Sequence, residues 1–89
     1  MNLVNAQEMQ KIYPGKFEAP SQEDLSKLKT GDFVKLCFED KERMWVKILL
    51  VSDDTITGIL DSNPTMVNLK AGDKVKFKRE HVYEIGDFT

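Results

Sequence analysis

The 89 residues carry 13 Lys and Arg against 15 Asp and Glu, for a formal net charge of −2, and charged residues make up 31% of the chain. That length allows one domain with one modest core, and the longest unbroken apolar run, Ile48-Leu49-Leu50-Val51, falls far short of the about 18 residues that cross a bilayer. One Cys and one His exclude a disulfide framework and a zinc site within the chain, and Met1-Asn2-Leu3-Val4-Asn5 has no readable secretory signal, which predicts a cytoplasmic protein with no membrane partner.

Residues 1–30 read as helix and loop and residues 31–89 as strands. This predicts an N-terminal helical extension packed on a β domain, one folding unit overall. Asn5 is placed to cap a short helix, with Glu8 at the capping-box spacing and Ala6, Met9, Gln10 and Tyr13 following, until Pro14-Gly15 stops it. Ser21, after Pro20, opens a second helix with Asp24 at the same spacing. Leu25 and Leu28 share one face of it, and Gly31 ends it.

Beyond Gly31 the period falls to 2. Val34, Leu36 and Phe38 alternate with Lys35, Cys37 and Glu39, which predicts a first strand. Glu39-Asp40-Lys41-Glu42 makes a turn, and residues 43–51 set Met44, Val46, Ile48 and Leu50 against Trp45, Lys47, Leu49 and Val51. The second half of that strand is apolar on both sides, which is expected if Leu25 and Leu28 cover Trp45, Leu49 and Val51. Ser52-Asp53-Asp54 turns the chain into Thr55-Ile56-Thr57-Gly58-Ile59-Leu60, where Gly58 signals a bulge or a close backbone approach. After the turn Asp61-Ser62-Asn63-Pro64, short strands are expected over 66–69 and 74–78. The tail, 81–85, is too short to assign.

One segment is used twice. Residues 28–36 match residues 69–77 at six of nine positions, 41 residues apart. In each copy a Leu approaches the core, Gly-Asp turns the chain and alternate residues enter the interior. Small barrels use such entries repeatedly, so the echo is evidence of fold.

Glu42-Arg43-Met44-Trp45-Val46-Lys47, then Ile56 to Pro64, then Leu69 to Phe77 resemble the successive signatures of the YegJ-like domain family of small bacterial proteins. The resemblance covers residues 31–85. It departs from the family pattern at Asp61-Ser62-Asn63-Pro64, where the family favours Asp-Asn, an acid and Pro, and at Glu84-Ile85, where it favours Asp-Trp. It implies a small β-rich barrel or bent sheet, and no activity, cofactor or site.

Catalysis finds little support. Cys37 with His81 is the one possible thiolate–base pair, with no motif around either residue. The acids at Asp53-Asp54 and at Glu39, Asp40 and Glu42 lack the spacing of a calcium loop, and the glycines are too dispersed to cradle a phosphate. No catalytic residue, metal or cofactor is expected. What remains is a binding face. Lys74, Lys76 and Lys78 recur at strand spacing, with Lys70 and Arg79 beside them, and Trp45 and Lys47 lie on the strand opposite Met44 and Val46.

The expected fold is α+β: a small bent antiparallel sheet or SH3-like β-barrel of five to six strands with two short N-terminal helices. The expected function is that of a non-catalytic module binding another protein, an accessory or inhibitory factor of the kind found in bacteria and phages. The expected contact residues are Trp45, Lys47, Lys74, Lys76, Lys78 and Arg79. The alternative is single-stranded nucleic acid held by the Lys70–Arg79 stripe. A monomer or weak homodimer is expected, since a free strand edge can pair with a second copy.

Overall fold

The computed structural model describes residues 3–15, 18–39 and 41–86. Two short helices, α1 (Ala6–Ile12) and α2 (Gln22–Ser26), precede β1 (Phe33–Phe38), β2 (Glu42–Val51), β3 (Ile56–Leu60), β4 (Lys74–Phe77), a 3-10 turn (Arg79–His81) and β5 (Glu84–Gly86). Both helices start where the capping residues predict. The Asn5 side chain accepts from the Glu8 N–H and the Ser21 hydroxyl from the Asp24 N–H, each satisfying a donor the first turn leaves open.

The strands form one antiparallel sheet in the order β4-β3-β2-β1-β5. Of the two expected forms, bent sheet or barrel, this pairing gives an open sheet with β4 and β5 at its edges. The tail, 81–85, holds the last residue of the 3-10 turn and the first two of the edge strand β5. Beside β5 the N-terminal segment also lines β1, through a Leu3–Phe38 bridge and a bond from the Val4 N–H to the Cys37 carbonyl at 3.1 Å.

One face of the sheet carries the main core: Val34, Leu36 and Phe38 from β1, Met44, Val46 and Ile48 from β2, Ile56 and Leu60 from β3, Val75 and Phe77 from β4. Leu25, Leu28 and Val82 close it, with Val67 and Leu69 packed at its margin. Leu25 of α2 and Leu28 just after it therefore cover the face of Met44 and Val46, while Ala6 of α1 packs against Cys37 on the other face. This corrects the expectation that Leu25 and Leu28 lie over Trp45, Leu49 and Val51. The apolar run that suggested a second covered face has another cause. Ile48 pairs with Gly58 and Leu50 with Thr57, so Leu49 is an extra residue in β2. The bulge resets the pleat: Ile48 and Val51 turn to the core, while Leu50 stands 58% exposed.

Gly58 is thus the partner of the bulged strand, and its second predicted role, close approach, is the one realised. A Cβ there would lie 2.3 Å from Val46 Cγ1 and 2.8 Å from the Lys47 carbonyl oxygen.

The strand expected over 66–69 does not form. Its backbone is bonded elsewhere: the Glu42 carboxylate accepts the N–H groups of Thr65 and Met66 (2.9 and 2.7 Å), Asn63 Oδ1 accepts that of Ala71, and the Leu69 N–H reaches the Val67 carbonyl. Val67 and Leu69 still face the core, which accounts for the apolar pattern without a ladder.

The repeated segment folds the same way twice. Asp32 and Asp73 each accept the N–H three residues back, from Lys29 and Lys70, at 3.0 Å. Gly31 and Gly72, at φ 97° and 91°, then donate to the carbonyls of Ile48 and Leu60, whose N–H groups return to the carbonyls of Asp32 and Asp73. Each copy latches the start of one strand to a residue in its neighbour.

Candidate binding face

The second face of the sheet is set by the opposite parity of each strand. It presents Phe33, Lys35 and Cys37 from β1, Arg43, Trp45 and Lys47 from β2, Thr57 and Ile59 from β3, and Lys74 and Lys76 from β4. The register makes Lys35 the direct partner of Trp45, Phe33 of Lys47, Ile59 of both Lys47 and Lys74, and Lys76 of Thr57. Strands lie about 4.8 Å apart, and side chains two residues apart about 6.8 Å, so the five cations share one surface some 15 Å across.

Cations and rings interleave on it. Lys35 Nζ lies 4.8 Å from the centre of the Trp45 ring, Arg43 Cζ 4.8 Å from that of Tyr83, and Lys47 Nζ 6.0 Å from that of Phe33. Among the described residues acids stand only at the margin. Glu84 on β5 pairs with Lys35 at 3.5 Å, and Asp61, whose N–H donates to the Trp45 carbonyl, continues the β3 register by one residue. On a chain of net charge −2, five cations here leave a net acidic remainder elsewhere.

Trp45, Lys47, Lys74 and Lys76 of the expected contact residues come together on this face, with Trp45 half-buried and the three lysines exposed. Lys78 is exposed just past the end of β4. Arg79 belongs to a different part of the molecule. The strand ends at Phe77, and the turn that follows sends the guanidinium to the Leu25 carbonyl (3.2 Å) and the Asp53 carbonyl (3.1 Å), where it ties α2 to the β2–β3 connection. Phe33 and Arg43 are the additions the sequence reading missed. Their signal was parity, since Arg43 sits two residues before Trp45 and Phe33 two before Lys35, which alternates with Val34 and Leu36.

Cys37 and His81 do different jobs. Cys37 is 5% exposed beneath Ala6 and Tyr83, in a small second cluster that Val4 and Ala19 adjoin. His81 Nδ1 accepts the Lys78 N–H at 3.0 Å, and burial lowers its pKa, with Glu80 opposing and Lys78 adding to the shift. Among the described residues no three His, Cys, Asp or Glu gather as a metal site, and no helix is long and apolar enough to cross a membrane.

No family model matches the chain, and no curated protein or solved structure does either.

Proposed function

We propose that the protein is a non-catalytic, cytoplasmic binding module, an accessory or inhibitory factor that docks an acidic surface of another protein on the open sheet face. The observation that carries this reading is the segregation of Lys35, Arg43, Lys47, Lys74 and Lys76 onto one face, open except where Ala6 and Tyr83 lie over Cys37, with acids of the described residues only at its margin. Complementary charge steers encounter and selects partners, and Trp45 supplies a half-buried aromatic anchor of the type that dominates interfaces. Membership of the YegJ-like family is part of the proposal. It rests on the resemblance of the segments starting at Glu42, Ile56 and Leu69 to that family's signatures.

The rings favour protein over single-stranded nucleic acid. A base needs an open aromatic face for stacking, and here an ammonium lies over Trp45 and another near Phe33. The test is a backbone-amide titration at low and moderate salt with a soluble polyglutamate and, separately, with an oligothymidylate. Polyglutamate is expected to shift Arg43, Trp45, Lys47, Lys74 and Lys76, and Lys47→Glu with Lys76→Glu to weaken it by about tenfold or more, as loss of two charge-assisted contacts predicts. Tighter binding of the oligothymidylate with strong quenching of Trp45 transfers the face to nucleic acid, and shifts elsewhere overturn the proposal.

A further inference from the structure

The sheet has two edges, and they differ. β5 spans three residues and carries Glu84; β4 spans four and carries Lys74 and Lys76, with Lys70 and Lys78 exposed at either end. Hydrogen bonding in an antiparallel ladder alternates, so the direction of each backbone group in β4 follows from a single pair. Leu60 in β3 bonds both ways to the β4 side, donating to the Asp73 carbonyl and accepting from the Gly72 N–H at 2.9 Å. Counting by twos, Gly58 and Ile56 also face β4, and their partners Val75 and Phe77 face back. The N–H and C=O groups of Lys74 and Lys76 are left pointing to the free edge.

We infer that β4 accepts an extended acidic peptide as a sixth strand, with acidic side chains at alternate positions over Lys74 and Lys76. This rests on the reading of the cationic face as a docking surface for an acidic protein and specifies how that protein engages it. In strand addition the main chain supplies affinity and alternate side chains supply selectivity. Here a residue bonded opposite Lys74 and the one opposite Lys76 project onto the cationic face, where carboxylates meet ammonium groups at the same spacing of about 6.8 Å. The same lysines disfavour a rival for this edge, a second copy of the chain. Antiparallel pairing of β4 with itself sets Lys74 and Lys76 against their own counterparts, and like charges on neighbouring strands oppose association. The β5 edge is the worse acceptor, being shorter and carrying Glu84.

The probe is a capped heptapeptide in which Glu alternates with Val and Thr, compared with the same peptide N-methylated at each Glu. The parent peptide is expected to slow hydrogen exchange at the Lys74 and Lys76 amides by about tenfold or more, and N-methylation to weaken binding by a similar factor, as loss of inter-strand hydrogen bonds predicts. The Lys76→Pro variant, which removes an edge-facing donor and fits an edge strand, is expected to lose the peptide while its Trp45 and Val46 amide signals show an intact sheet. Equal binding of the N-methylated peptide, with shifts at Trp45 and Lys47 and no protection at Lys74 or Lys76, overturns strand addition and leaves face docking standing. Loss of binding in Lys76→Pro but not in Arg43→Glu or Lys47→Glu supports the edge and overturns the broader face. Protection at Lys74 and Lys76 that rises with protein concentration, without peptide, assigns the edge to a second copy and overturns the proposal.

Discussion

Gly58 and Val46 lie diagonally across β3 and β2, on the core side of the sheet, so close that a methyl group on Gly58 would sit 2.3 Å from Val46 Cγ1. Gly58→Ala is therefore expected to destabilise the fold by about 2–3 kcal/mol, the upper range for overpacking. Val46→Ala removes one obstruction but leaves the Lys47 carbonyl oxygen at 2.8 Å. The double variant should be more stable than the sum of the single losses predicts, yet not restored. Urea unfolding of the four proteins measures this coupling, and strict additivity contradicts it.

Gly31 and Gly72 provide the contrast. A Cβ at either meets nothing within 4 Å, but both hold φ near 90°, which L-residues resist. Gly31→Ala and Gly72→Ala should each cost about 1–2 kcal/mol through backbone strain alone. Asp32→Ala and Asp73→Ala should each cost about 1 kcal/mol from the lost bond to the preceding lysine N–H. Matched losses in the two copies, read from denaturant midpoints, are the expected result. A large loss in one and none in the other would show that only one latch contributes.

Arg79 is predicted to act on stability and not on binding. Its two carbonyl partners lie in α2 and in the β2–β3 connection, away from the cationic face. Arg79→Met should lower stability by about 1–2 kcal/mol and leave polyglutamate binding within twofold. The double variant Lys74→Glu with Lys76→Glu should do the reverse. Weak binding by a fully folded Arg79→Met would return Arg79 to the contact surface.

His81 makes stability pH-dependent in a defined direction. Its folded pKa lies below the ordinary 6.5, so the unfolded chain binds the proton more readily. Its contribution is complete above about 6.5, declines as pH falls through that value, and levels off below the depressed folded pKa. Protonation at Nδ1 also removes the acceptor of the Lys78 N–H. Urea midpoints should fall between pH 7.5 and 5.5 in the native protein, with a shallower fall in His81→Gln, and parallel slopes contradict this role.

Glu42 fastens the long connection from β3 to β4. Its carboxylate accepts the Thr65 and Met66 N–H groups, so Glu42→Gln is expected to speed hydrogen exchange at those two amides by about tenfold while the strand amides keep their protection. Unchanged exchange at Thr65 and Met66 would show the loop to be held by its apolar contacts alone.

Where the sequence was legible, the signal was local. Asn5 and Ser21 cap helices because a side-chain oxygen three residues before an open N–H suffices, and the β1 and β2 alternation follows from the pleat. Illegible features depended on distant partners. Nothing in Ile48-Leu49-Leu50-Val51 distinguishes a strand buried on both faces from one with an extra residue, because both read as four apolar residues. The face that Leu25 and Leu28 cover is likewise not written in their own spacing. Val67 and Leu69 imitate a strand because half-burial, without pairing, imposes the same alternation. At the binding face, parity placed Trp45 and Lys47 together. The register of β3 then brought Lys74 and Lys76 beside them, and Arg79 left the stripe because β4 ends two residues earlier.

The doubled latch makes the segment portable. Each copy carries its own anchor, its own reversal and its own pair of bonds to an adjacent strand, so it needs little from its surroundings beyond one strand to grip. The three positions at which the copies differ lie where each meets its own neighbourhood: Thr30, whose hydroxyl donates to the Leu49 carbonyl, against Ala71; Phe33 against Lys74 on the outer face; and Leu36 against Phe77 in the core. Exchanging the two copies should therefore preserve the architecture and move a cation from the sheet's rim to its interior columns.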